Sequence, residues 1–113
     1  MKKINVLTVT FHTPGLIKSM INSFEKFKPE DLDITYVIVE NSRDTSYKEE
    51  TEKLAKNVIW INHEEGENYQ SSHGHGMAFD IGKQSCDEDY TFVCHSDTCV
   101  TSTNFFNEFF NKA

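Results

Sequence analysis

The sequence predicts one α/β domain built on a mainly parallel sheet covered by helices. Three observations carry this prediction. Short β-branched and aromatic runs alternate with helical segments in the order β-α-β-α-β-loop-α-β-α, which suits parallel strands with right-handed crossovers. Several strands end abruptly in polar clusters, as they do where open α/β sheets bind ligands. The 113 residues suffice for a single core, so residues 1–113 are taken as one domain.

Residues 4–10 (INVLTVT) read as a first strand, buried on both faces if parallel. Thr13-Pro14 starts a helix, with Thr as N-cap and Pro at the first helical position. Leu16, Ile17, Met20, Ile21, Phe24 and Phe27 form its apolar stripe, and Lys28-Pro29-Glu30 ends it. Residues 34–39 (ITYVIV) are the second strand, with Glu40-Asn41-Ser42 as its polar exit. Ser46 and Glu49 form a capping box that starts a short charged helix reaching Lys56.

Residues 58–61 (VIWI) predict a third, short apolar strand, followed by a polar loop over residues 63–73. Residues 74–85 predict a helix with Met77, Ala78 and Ile81 inward. The strand beginning at Tyr90 runs into His95-Ser96-Asp97. The last helix, residues 103–112, carries Phe105, Phe106, Phe109 and Phe110 on one face. If that face stays uncovered, self-association into a homo-oligomer is expected.

Composition narrows the function classes. A net charge of -7 argues against a nucleic-acid surface. No apolar run approaches the ~20 residues of a membrane span. Three cysteines form no disulfide framework, and the Met1-Lys2-Lys3 start carries no signal-peptide pattern. A cytoplasmic location is the expectation.

In a parallel sheet, Thr10-Phe11-His12, Glu40-Asn41-Ser42 and His95-Ser96-Asp97 all leave along one edge, which makes a ligand crevice. The Gly74-His75-Gly76 turn before a helix would add backbone N–H groups suited to a phosphate. Bland readings exist for each. Asp97 could cap a turn, His95 could be a satisfied strand histidine, and Glu40 could be solvated. His73, His75, Cys94, His95 and Cys99 match no standard structural zinc spacing, which leaves a zinc-binding interaction module as the weakest alternative.

The pattern resembles the nucleotide-sugar-binding half of family 2 glycosyltransferases of the GT-A (Rossmann-like) fold. Val9-Thr10-Phe11-His12 stands at the family's first strand end, and Glu40-Asn41-Ser42-Arg43-Asp44 at its second. The stretch Gly74-His75-Gly76-Met77-Ala78-Phe79-Asp80-Ile81-Gly82 resembles the glycine-rich helix start, and His95-Ser96-Asp97 the Asp-x-Asp motif. The resemblance covers residues 4–110, with no single motif specific by itself.

It implies transfer of a sugar from a nucleoside diphosphate, a UDP-sugar above all, to an acceptor hydroxyl with inversion. Glu40 would accept from the base N–H, while Thr10 and Phe11 line the base and ribose pocket. His12, Ser42, Gly74, Gly76, Asp80 and Ser96 complete the implied nucleotide contacts. Asp97 would ligate a divalent metal, with His95 standing where the motif has its first acid. Oxygen ligands favour Mg²⁺ or Mn²⁺, and an imidazole shifts the choice toward Mn²⁺. The family's acceptor half, with its general base, has no counterpart before Ala113. The alternative is therefore a nucleotide-binding module without turnover, or the donor half of a two-chain enzyme.

Overall fold

The computed structural model describes residues 2–64, 72–88 and 90–95. Among these residues four strands, Lys2–Thr10 (β1), Leu32–Glu40 (β2), Asn57–Asn62 (β3) and Tyr90–His95 (β4), form one sheet in the order β3-β2-β1-β4. All three pairings are parallel. The α/β class and the parallel sheet of the sequence reading are what the molecule has.

Helices Pro14–Phe27 (α1), Lys48–Glu52 (α2) and Ser72–Lys83 (α3) connect the strands. Strand alternation sorts the core into two sets. Ile4, Val6, Ile34, Tyr36 and Ile38 face Ile17, Met20, Ile21 and Phe24 of α1. Leu7, Val9, Val37 and Val39 face Ala78 of α3. Because the chain steps outward from β1 through β2 to β3 and then returns to β4 beside β1, the strand order reverses there. Ligands of open α/β sheets bind outside the carboxyl ends of strands at such a reversal.

Several local expectations change. Leu16 is exposed, because the buried stripe of α1 is the narrower set Ile17, Met20, Ile21 and Phe24. Thr13 occupies the N-cap position without a side-chain cap, its hydroxyl being turned to the Thr10 hydroxyl instead. The Ser46–Glu49 capping box does not form. Tyr47 is the N-cap, Ser46 donates its backbone N–H to Asp44 Oδ1 at 2.8 Å, and α2 stops at Glu52. β3 is only half-buried, as an outer strand of the described sheet. Helix α3 begins at Ser72, so Gly74 and Gly76 sit inside its first turns and not in a turn ahead of it. Among the described residues, no helix is long and apolar enough to cross a membrane.

Candidate functional site

The carboxyl ends of β1, β2 and β3 are level with one another, since Thr10 pairs with Glu40 and Glu40 with Asn62. The ladder continues one step beyond, through Asn41 N–H to Thr10 O and His63 N–H to Glu40 O, both 2.8 Å. Alternation puts Glu40 on the same face as Tyr36 and Ile38, where it is fully buried. A carboxylate in that place requires donors, and it has three. His12 N–H reaches Oε1 at 2.9 Å, the Tyr47 hydroxyl also donates to Oε1, and the Ser42 hydroxyl donates to Oε2 at 2.6 Å.

Around this carboxylate the β2–α2 loop folds back on itself. Ser42 Oγ accepts from Asp44 N–H at 3.1 Å. Asn62 Nδ2 donates to the carbonyls of Ser42 and Asp44, at 3.0 and 2.8 Å, while its Oδ1 accepts from Trp60 Nε1 at 2.7 Å. Burial raises the Tyr47 phenol above its ordinary pKa, with the Glu40 hydrogen bond adding to the effect, so the O–H stays a donor.

His12 adopts a left-handed backbone conformation, φ 55°, which an ordinary side chain enters only when its surroundings hold it there. Its Nδ1 lies 2.8 Å from Asp44 Oδ2. The Asp44 carboxyl is held down to about 2, first by the Ser46 side chain, then by His12 and the Ser46 backbone N–H. Beside His12, the Phe11 ring is exposed and lies 4.2 Å from the imidazole at an interplanar angle of 60°.

Thr10, Phe11, His12, Glu40 and Ser42 are therefore brought together as the sequence reading expects. Thr10 and Ser42 are buried within the network, and Phe11 and His12 stand at its surface. Asp80 is exposed on α3. His95 ends β4 in register with Val9, so the chain leaves β4 along the same edge as β1. The His95 side chain, Ser96, Asp97, the loop over residues 65–71 and the Phe-rich segment over residues 103–112 lie outside the described residues.

The sequence reading missed Tyr47, Asp44 as the partner of His12, and Asn62. The available signal was Glu40 itself. An acid continuing a buried strand face needs donors, and the hydroxyls at Ser42 and Tyr47 lie within reach along the chain.

Three side chains could hold a metal ion. His12, Glu40 and Asp44 each offer one ligand atom, and these atoms lie within 4.8 Å of one another. One imidazole and two carboxylates suit a first-row divalent ion. In the structure Glu40 and Asp44 accept from protein donors and the His12 Nδ1 is bonded to Asp44 Oδ2, so an ion bound through that nitrogen would replace the His12–Asp44 hydrogen bond. No family model and no curated protein matches the chain.

Proposed function

We propose that this chain is the donor-binding portion of a family 2 glycosyltransferase of the GT-A fold. It would take a nucleoside-diphosphate sugar, a UDP-sugar by the resemblance, at the edge where β1 and β4 leave the sheet. The observation that carries the reading is topological: β4 lies parallel beside β1 at the reversal of strand order, with His95 in register with Val9. It supports the reading because His95, where the resemblance has its metal motif begin, ends β4 on the same edge as the Thr10-Phe11-His12 stretch. An exposed aromatic ring at this edge, Phe11, suits a heterocyclic base.

A divalent ion, when bound, would neutralise charge on the diphosphate leaving group. Asp97 and His95 are the ligands the resemblance implies, and Mn²⁺ or Mg²⁺ the ions. Two carboxylates at this edge, Glu40 and Asp44, are engaged within the protein, which favours a second reading of nucleotide binding without turnover.

A thermal-shift panel of nucleoside diphosphates, with and without Mn²⁺, tests the reading. The expected result is metal-dependent stabilisation by at least one nucleotide, lost in Asp97→Ala. Silence across the panel overturns it. Sugar release from a nucleotide sugar in the presence of acceptor alcohols separates transfer from binding alone.

A further inference from the structure

We propose that Glu40 is a positioning residue that holds the turn after β1, and that it is not the acceptor for a ligand N–H. The inference rests on the nucleotide reading for its ligand only; the geometry stands without it. Glu40 is fully buried and already accepts from His12 N–H, Tyr47 and Ser42. Its Oε2 has room for one more donor, but the carboxylate is sealed from the surface, so a base N–H would reach it only if the side chains around it moved aside. What the carboxylate does hold is the His12 peptide, at the residue whose φ of 55° needs holding.

The consequence runs outward. Tyr47 and Ser42 fix Glu40, Glu40 fixes the His12 amide, and that peptide sets the direction of the exposed Phe11 ring and of the His12 imidazole. The carboxylate therefore shapes the rim of the site from behind. Tyr47 and the His12 amide share one oxygen, Oε1, so they compete for it. Removing one donor strengthens the bond to the other.

Amide NMR with two substitutions reads this linkage directly. Glu40→Gln removes the charge at nearly constant shape, and should move the His12 amide proton upfield and speed its exchange about tenfold or more. The Asn41 amide, bonded to Thr10 O, should keep its protection. Tyr47→Phe should move the His12 signal the opposite way, downfield, because Oε1 loses its other donor. It carries the test if Glu40→Gln does not fold. A His12 amide unmoved in both variants overturns the proposal.

Affinities supply the second arm. Glu40→Gln should weaken UDP and CDP, each with Mn²⁺, by about the same factor, roughly tenfold, so that their ratio survives. A collapse of that ratio would mean that Glu40 reads the base, and would overturn the proposal. If the wild type binds neither nucleotide, the nucleotide reading fails and the amide signals alone decide the role of Glu40.

Discussion

On one face of the sheet, Phe24, Tyr36, Met20, Ile17 and Ile21 fill a deep space beneath α1. On the other, α3 closes over Leu7, Val9, Val37 and Val39 with Ala78 and a buried glycine, Gly82. The same strands are covered in two ways, by large side chains that fill a gap and by small residues that narrow it. The polar network at the strand ends belongs to the first face. Tyr47 packs edge-on against Trp60 at 5.0 Å as part of the α1-side core, and its hydroxyl ends on Glu40. On the α3 side the strand ends carry a different buried pair, His63 Nδ1 and Asn41 Oδ1 at 2.8 Å, which supplies no donor to Glu40. Damage to the α1 face should therefore reach the site, whereas damage to the α3 face should cost stability alone.

Phe24→Ala tests the larger half of that comparison. Phe24 is fully buried, packed edge-on to Tyr36 at 6.2 Å and tilted to Phe92 at 6.0 Å. Its truncation should cost about 3–5 kcal/mol in urea unfolding, the largest effect here. Gly82→Ala tests the other face from the opposite direction. A Cβ there would lie 2.4 Å from Leu7 Cδ1 and 2.9 Å from Val39 Cγ2, so those packed side chains or the helix must shift. Overpacking of this kind costs about 1–3 kcal/mol, reduced by the roughly 1 kcal/mol that Ala gains over Gly in a helix. The comparison breaks if Gly82→Ala disturbs the His12 amide signal while Phe24→Ala leaves it in place.

Tyr47→Phe sits on the boundary between core and site. The ring still fills its place against Trp60, but Glu40 loses a donor in a buried site, a loss of about 1–3 kcal/mol in unfolding free energy. A null effect would mean that Ser42 and His12 N–H satisfy the carboxylate without Tyr47.

How far the sequence reached follows the same division. Strands and the α1 stripe were legible because apolar periodicity is a local signal, and the parallel sheet followed from strict alternation of strands and helices. The common polar edge was legible because all the strands run the same way. Local polar signals misled where tertiary partners competed for the same atoms. Thr13 reads as a cap, but Thr10 takes its hydroxyl; Ser46 reads as a capping box, but Asp44 takes its amide. The glycines at 74 and 76 suggest a turn, yet α3 runs through them from Ser72. Glu40 reads as an available acid at a strand end. It is buried and bonded to Tyr47, and their meeting is set by the fold of the loop between them.

The smallest expected effect lies at the exposed rim, in the pair His12–Asp44. Asp44 titrates near 2 in the folded protein against an ordinary 3.8, held down by Ser46 and then His12. A folded value below the unfolded one means that the unfolded chain takes up its proton first as pH falls. The contribution of Asp44 is therefore complete above about pH 4 and fades between there and about pH 2. Asp44→Asn should lower Tm slightly at pH 7, and the gap to wild type should close as the pH approaches 2. A gap that stays constant across that range assigns the loss to loop shape and not to charge. The Asn62 bonds to the Ser42 and Asp44 carbonyls, which the substitution leaves in place, would then be too weak to hold the loop without the Ser46 and His12 contacts. The rim would in that case depend on Asp44 as much as on Glu40, and the division between a fixed interior and an adjustable edge would have to be drawn one residue further out.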